Sequence, residues 1–140
     1  MDRGTRNYSI VLGIFVLALA VVFLYEDPKV SELNDLLKED ETLTNFSYRF
    51  KVVEVRNSMA IMSTPRSTEV PVSRVLGLLF PEVAGRKPET SEFQRAQKKL
   101  ATVQTKARDL VLEDPEIKRV SWRLDKDWLS QHGIVVNLSR

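Results

Sequence analysis

The sequence predicts an α+β protein: an N-terminal transmembrane helix, then a small antiparallel or mixed sheet of three strands with helices on one face. Three observations predict it: an uncharged apolar stretch near the N-terminus, an alternating apolar–polar run that turns back on itself, and a long apolar stripe at helical spacing. The 140 residues suffice for one domain besides the apolar stretch. Whether a fourth strand near the C-terminus joins the sheet is left open.

The composition excludes several classes of protein. With 21 basic and 19 acidic side chains, the formal charge of +2 is too balanced to indicate nucleic acid as a partner. The absence of cysteine excludes a thiolate zinc site, a disulfide framework, a thiol nucleophile and a lipid-modified cysteine. The five glycines are scattered, so there is no glycine-rich phosphate loop.

The N-terminal apolar stretch runs from Tyr8 to Tyr25 without a charge. As a helix it spans roughly 27 Å at about 1.5 Å per residue, just enough for a bilayer core of about 30 Å. Arg3 and Arg6 precede it, so the positive-inside rule places the N-terminus in the cytoplasm. We therefore expect three parts: a cytoplasmic tail (1–7), a transmembrane helix (8–25) and an extracytoplasmic α+β domain (26–140).

Two other interpretations of this stretch exist. Ala18-Leu19-Ala20 matches the small-x-small pattern of a signal-peptide cleavage site, but the five residues that follow are all apolar or aromatic, which is unusual for a mature N-terminus. The other alternative is a buried core helix, against which the lack of any polar face argues. We expect an uncleaved anchor.

The extracytoplasmic part opens with a helix. Asp27 supplies an N-cap oxygen and Pro28 fits the first turn, after which apolar residues recur at helical spacing until near Asp40. An alternating run from Phe46 to Val55 then predicts a half-buried strand. Its phase slips near Val52, which indicates a bulge there or a strand end covered on both faces.

A turn joins this strand to a returning strand, Met59 to Thr64, and together they form a hairpin. Within the turn, Asn57 is the residue best able to adopt positive φ. Farther on, Pro71 begins a short helix limited by Pro81. One face of that helix is apolar, with Val72, Val75, Leu76 and Leu79.

The clearest element is a long helix, opened by a capping box of Ser91 with Gln94 and stopped by Pro115. Its apolar stripe is unbroken and comprises Phe93, Ala96, Leu100, Val103, Ala107, Leu110 and Val111. The third strand follows, from Ile117 to Leu124. His132-Gly133 predicts a turn or helix end, and the apolar run Ile134 to Val136 is the candidate fourth edge strand.

The order helix, strand, strand, helix, strand resembles the BON domain family. The similar segments are the helix LNDLLKED, the hairpin KVVEVRNSMAIMST, the helix LATVQTKARDLVLEDPEI and the strand IKRVSWRLD. They run from Leu33 to Asp125, with an insertion at Pro65–Glu89. The family favours glycine in the hairpin turn, where this chain has Asn57-Ser58. The resemblance implies a non-catalytic envelope module, associated with phospholipid or with larger envelope machines.

One pair of residues suggests chemistry instead. Asp125 and Asp127 lie one residue apart at the end of the third predicted strand, where paired carboxylates can hold a divalent metal for phosphoryl transfer. That chemistry also needs a phosphate-cradling turn and usually a third carboxylate, and neither is evident. His132, the single histidine, has no partner groups for a metal site or a triad. We therefore interpret the pair as a solvated strand end and expect no metal and no cofactor.

The surface predicted to bind combines apolar and basic residues. Leu78 and Phe80 fall off the apolar face of the short helix, although the whole run from Val75 can also simply complete the core. The long helix carries basic residues that suit anionic lipid headgroups, although they can also be merely solvated. The residues expected to contact a partner or the lipid surface are Val75, Leu78, Phe80, Arg95, Lys99 and Lys106.

The sequence thus predicts a non-enzymatic, single-pass protein of the bacterial inner membrane, with its N-terminus cytoplasmic and its domain periplasmic. The domain would bind an envelope protein or anionic lipid. Two alternatives remain: a small metal- or nucleotide-dependent enzyme built on Asp125 and Asp127, and a subunit of a larger membrane complex.

Overall fold

The computed structural model describes residues 3–24 and 27–136. The described elements, in chain order, are helices α1 (Arg3–Leu24), α2 (Pro28–Lys38) and α3 (Glu41–Asn45), strands β1 (Val52–Arg56) and β2 (Met59–Thr64), helix α4 (Val72–Leu79), a 3₁₀ turn (Pro81–Val83), helix α5 (Ser91–Leu112), strand β3 (Arg119–Leu124) and helix α6 (Lys126–Gln131).

The three strands form one mixed sheet in the order β1-β2-β3. β2 is central, antiparallel to β1 and parallel to β3. The α+β class and the three-stranded sheet are therefore confirmed. The fourth strand is wrong: residues 134–136 are not a strand, because Asp125 caps α6 and the chain leaves the sheet there. Ile134 is nevertheless buried, and its N–H donates to the carbonyl of Leu129.

The hairpin forms as predicted. Asn57 and Ser58 both have positive φ, 51° and 64°, as a two-residue hairpin turn that matches the strand twist requires. The register shifts between Val52 and Glu54, which confirms the bulge. β1 itself is shorter than the alternating run, since only Val52–Arg56 is strand. Upstream of it, the burial of Tyr48 and the exposure of Arg49 still follow the alternation.

The first edge of the sheet is closed by a side chain. Asn34 of α2 donates from Nδ2 to the carbonyl of Val52 at 2.9 Å, and its Oδ1 accepts from the N–H of Val52 at 2.7 Å. The amide therefore satisfies both outward-facing backbone groups of this residue, as a neighbouring strand would. This contact fixes α2 against β1.

The helices pack through one apolar core. Its buried side chains come from every helix except α1 and meet one face of the sheet through Val52, Ala60 and Met62. The stripe of α5 is buried as predicted, except that Leu110 is half-buried. The predicted cap is corrected: Thr90 is the N-cap and accepts from the N–H of Phe93 at 3.4 Å, so Ser91 is already helical.

Helix α1 stays outside this core. Its described part begins at Arg3, so the helix includes five residues before Tyr8, where the predicted transmembrane segment starts. Its window Arg3–Val22 has a mean hydropathy of 1.8 and none of it is buried. Within the described residues it is the one helix long and apolar enough to cross a membrane. The alternative of a core helix is therefore wrong.

Candidate functional site

The predicted contact residues divide among four environments. Val75 is only 1% exposed and packs in the core, so its side chain is not available to a partner, which corrects the prediction. Lys106 of α5 is bound within the domain: its Nζ lies 3.2 Å from the carboxylate of Asp40 and donates to Thr42 Oγ1 at 3.3 Å. Although burial opposes it, the N–H of Leu43 and the Lys106 ammonium keep the pKa of Asp40 below its ordinary value.

Three other predicted residues are brought together. Phe80, Arg95 and Lys99 line a shallow groove of about 340 Å³ between the 3₁₀ turn and α5. Glu82 and Glu92 line the same groove, and Glu92 lies 4.0 Å from Arg95. The charges around Phe80 therefore nearly balance, and this groove has little preference for an anion.

Leu78 lines a second and larger groove, of about 600 Å³, between α4 and the residues that follow the 3₁₀ turn and α6. We call it the Leu78 groove. It contains the small residues Gly77 and Ala84 and the buried side chain of Ile134. Gly77 and Ala84 face each other closely, since a Cβ at Gly77 would lie 3.5 Å from Ala84, in ordinary van der Waals contact.

The rim of the Leu78 groove is basic. Arg74 of α4 and the neighbours Arg86 and Lys87 line it, and all three are exposed. Within residues 3–24 and 27–136, no acidic side chain lines the groove. Among the described residues, none of these three cations forms an ion pair. The N–H of Glu92 itself, and then the charges of Arg86 and Arg95, lower the pKa of Glu92, so the positive charge at the rim is partly offset. An apolar surface and a net positive charge therefore occur together here.

His132 completes the rim. Its ring lies 4.3 Å from that of Trp128, centroid to centroid, and its Nδ1 is 2.7 Å from the Trp128 carbonyl oxygen. Because a carbonyl only accepts, Nδ1 carries a hydrogen and Nε2 is the nitrogen left for a ligand. The predicted turn is confirmed, since His132 ends α6 and Gly133 follows with φ of 83°.

The two aspartates at the start of α6 do different things. Asp125 is the N-cap of α6: its Oδ1 accepts from the N–H of Trp128 at 3.0 Å, and its Oδ2 accepts from the Tyr48 hydroxyl at 2.8 Å. Burial and this carboxylate raise the pKa of Tyr48 above its ordinary value, so the phenol stays protonated. Asp127 is exposed in the first turn of α6, which corrects its placement on the strand.

The surroundings of the Asp125 and Asp127 carboxylates indicate a structural role rather than a metal site. They line a groove of about 310 Å³ that also contains Lys51, Arg123 and Lys126. Within residues 3–24 and 27–136, no three acidic, histidine or cysteine side chains cluster so that they could hold a metal ion. The hydrogen bond between Asp125 and the Tyr48 hydroxyl fixes α6 against the segment that carries Tyr48.

The sequence interpretation missed the cationic rim of the Leu78 groove. Arg74 was absent from the predicted surface, and Arg86-Lys87 was treated only as part of a loop. A usable signal existed, since two adjacent cations in a proline-bounded loop lie close in sequence to an apolar helix. Ile134 and His132 also line the Leu78 groove, but they lie more than 40 residues after Lys87 in the chain. No pattern in the sequence indicated that they would.

Comparison of the chain with models of known families, with curated proteins and with solved structures finds no match.

Proposed function

We propose that the protein is a single-pass, non-enzymatic protein of the bacterial inner membrane whose periplasmic domain binds a protein partner or the lipid surface. The observation that carries this proposal is the Leu78 groove, where apolar side chains lie beside three cations and no acidic side chain of the described residues lines the groove. Exposed apolar surface with a polar rim is typical of interaction sites.

Helix α1 supports the membrane part of the proposal. Its large apolar side chains are exposed, for example Val11 at 65% and Val22 at 71%, and so much apolar surface is unfavourable in water. Arg3 and Arg6 at its N-terminal end favour a cytoplasmic N-terminus. Only residues 25–27 separate α1 from α2, so roughly 10 Å of chain keeps the domain beside the membrane.

The order of elements after α1 supports a BON-like domain as part of this proposal. A helix, a hairpin, a long helix and a strand follow one another, with α4 in the segment that would be an insertion. That segment supplies buried Leu76 and Leu79 to the core and Leu78 to the groove. It would therefore be both a structural addition and the source of a binding surface.

A matched pair of substitutions tests the binding surface. We expect Leu78→Asp to leave a folded domain that no longer binds, because Leu78 is half-buried at the groove. Leu76→Asp is the control: at 0% exposure it would bury a charge and unfold the domain. Tryptophan fluorescence and pull-down from solubilised membranes measure the two properties. Unfolding of both variants would show that Leu78 only completes the core.

The same membranes test the topology. A tag fused to Arg140 should be reachable from the periplasm, and a tag reachable only from the cytosol would refute the proposal. A stoichiometric protein partner in the pull-down would favour the interpretation as a subunit of a larger complex. Turnover of a substrate by the purified chain, lost in Asp125→Asn, would favour the enzyme.

A further inference from the structure

Strand β3 forms one edge of the sheet, and its outer side has no neighbouring strand in the part of the chain that the structure describes. On its inner side, the N–H of Arg119 donates to the carbonyl of Ser58 at 3.3 Å, and the N–H of Asp125 donates to that of Thr64 at 2.8 Å. Backbone groups alternate in direction along a strand, so the odd-numbered residues point toward β2. The residues whose N–H and carbonyl both point outward are Val120, Trp122 and Leu124.

These outward groups are available for pairing. Among the described residues, none of them forms a hydrogen bond outside the sheet. A row of free donors and acceptors along an edge is what an added strand pairs with. The opposite edge differs, because Asn34 of α2 already bonds the N–H and carbonyl of Val52. Of the two edges of the described sheet, β3 is therefore the one that can accept a strand.

We infer that β3 pairs antiparallel with β3 of a second copy of this chain, so that two three-stranded sheets become continuous. Because α2 occupies the other edge, the contact uses the same surface on both copies and closes at a dimer instead of growing into a fibre. A two-fold axis at Trp122 places Val120 opposite Leu124 of the second copy. All three outward residues of each copy then exchange both of their backbone hydrogen bonds.

The charges along β3 favour this register. With the axis at Trp122, Arg119 stands opposite Asp125 of the second copy, and Arg123 stands opposite Ser121. A shift of the register in either direction brings Arg123 opposite an arginine of the second copy, and like charges opposite each other destabilise a strand pair. Asp125 lines the same groove as Arg123, and its carboxylate has acceptor sites left beyond its two bonds within the domain.

The apolar side chains of β3 suit the same partner. Val120, Trp122 and Leu124 are half-buried and pack against the core, and the Trp122 ring lies 6.1 Å from that of Phe50. In the dimer the two Trp122 side chains would be neighbours, with Val120 and Leu124 beside them. Aromatic and branched side chains stabilise a strand pair when they face each other in this way. The second copy would therefore cover apolar surface that the fold leaves half-exposed.

Cross-linking of the full chain in detergent tests this inference. The chain has no cysteine, so introduced cysteines give no background. Differently tagged Ser121→Cys and Arg123→Cys variants are mixed and oxidised. In the proposed register these positions face each other with Cα atoms about 4.5 Å apart, within disulfide reach. In either variant alone the two cysteines lie roughly 7–8 Å apart, beyond that reach. We expect roughly tenfold more cross-linked dimer in the mixture.

Variants at the edge test the affinity. Val120→Pro removes one outward N–H from each copy and leaves the bonds to β2 in place, so it should weaken the dimer about 30-fold in sedimentation velocity. Ser121→Asp places a carboxylate opposite Arg123 of the second copy twice per dimer and should strengthen it about fivefold. Ser121→Lys is the matched control and should weaken it by a similar factor. Tryptophan fluorescence verifies that each variant is folded.

Several outcomes would overturn the inference. They are a natural chain that stays monomeric at the highest concentration reached, cross-linking that is equal in the mixture and in the single variants, and equal effects of Ser121→Asp and Ser121→Lys. A dimer unchanged by Val120→Pro would place the contact elsewhere, for example along α1. A different protein bound at stoichiometry and lost in Val120→Pro would replace the second copy as the occupant. These measurements do not involve the Leu78 groove or the membrane topology, so their failure leaves the proposed function untouched.

Discussion

The polar side chains on the two sides of the domain differ in whether they have a hydrogen-bond or ion-pair partner within the fold. Near the sheet, Asn34 pairs with Val52, Tyr48 with Asp125, and Lys29 with Asp114. Around the Leu78 groove, the three cations at the rim form no ion pair with any described carboxylate. On one side the polar groups form hydrogen bonds or ion pairs within the domain. On the other the three cations form no ion pair with a described carboxylate, although the charge of Arg86 is felt by Glu92.

This difference shows why counting basic residues locates a binding surface poorly. The long helix α5 carries more cations than the groove, yet Lys106 is held by Asp40, and Arg108 lies 3.1 Å from Asp109. Salt bridges of this kind remove the attraction that an anionic partner would feel. The available charge is set by pairing, which depends on the fold.

The largest expected effect on the sheet side belongs to Asp125→Ala. It removes the α6 cap, worth about 1 kcal/mol, and leaves the buried Tyr48 hydroxyl without its acceptor, which costs about 1–3 kcal/mol more. We expect a loss of about 2–4 kcal/mol in the free energy of unfolding, measured by urea titration of tryptophan fluorescence. Asp127→Ala should cost less than about 1 kcal/mol. Equal costs would mean that Asp125 is no more engaged than its exposed neighbour.

Asn34→Ala should cause the second-largest loss in the free energy of unfolding. The substitution leaves the N–H and carbonyl of the buried Val52 without partners, and two hydrogen bonds at about 1 kcal/mol each predict a loss of about 2 kcal/mol. The neighbouring Asp35→Ala, on the exposed face of α2, should stay within about 0.5 kcal/mol of the natural chain. An unchanged urea midpoint for Asn34→Ala would show that water replaces the amide at this edge.

Lys29→Gln should show the smallest effect, visible mainly through pH. The Lys29 ammonium lies 2.5 Å from Asp114 and 2.9 Å from Glu116. Hydrogen bonding to Lys29 lowers the pKa of Asp114 from 3.8, and hydrogen bonding to Asp114 and then Glu116 raises the pKa of Lys29. Asp114 therefore stabilises the fold above about pH 4 and loses this as the pH falls, while Lys29 stabilises it until strongly alkaline pH.

The measurement compares urea midpoints of the natural chain and Lys29→Gln at pH 7 and pH 3. The difference should be largest at pH 7 and shrink at pH 3, where Asp114 begins to take up its proton. Lys38→Gln is the control, because Lys38 and Asp35 lie 4.0 Å apart with both side chains 69% exposed. A difference for Lys29→Gln that is the same at both pH values would refute the role of this pair.

Local features of the fold could be predicted from the sequence. The positive φ of Asn57, the bulge after Val52 and the buried stripe of α5 each follow from residue type or spacing within a few positions. The errors lie where neighbouring signals compete. Thr90 and Ser91 are both good caps. The run Ile134–Val136 has strand composition, but it follows a glycine and only Ile134 is buried in the core, while Val135 is exposed.

The site was less predictable because it depends on distant contacts. That Leu78 and Phe80 leave the apolar face of α4 follows from helical spacing, and both are indeed only half-buried. That Lys106 meets Asp40, or that Ile134 reaches Leu78, follows only from how the elements pack. Of the predicted contact residues, Leu78 and Phe80 line grooves, whereas Val75 lies in the core and Lys106 is paired with Asp40, so whether the remaining residues bind a partner stays a prediction.

The parallel pairing of β2 with β3 constrains the order in which the domain forms. The hairpin closes through two turn residues, whereas fifty-four residues, 65–118, separate the two parallel strands. Hairpins form within microseconds, while a long loop closes at greater entropic cost. During synthesis, the apolar stretch of β2 has one edge without a strand until residues 119–124 emerge. Completion of α5 and β3 is thus the step that ends the exposure of the unpaired edge of β2.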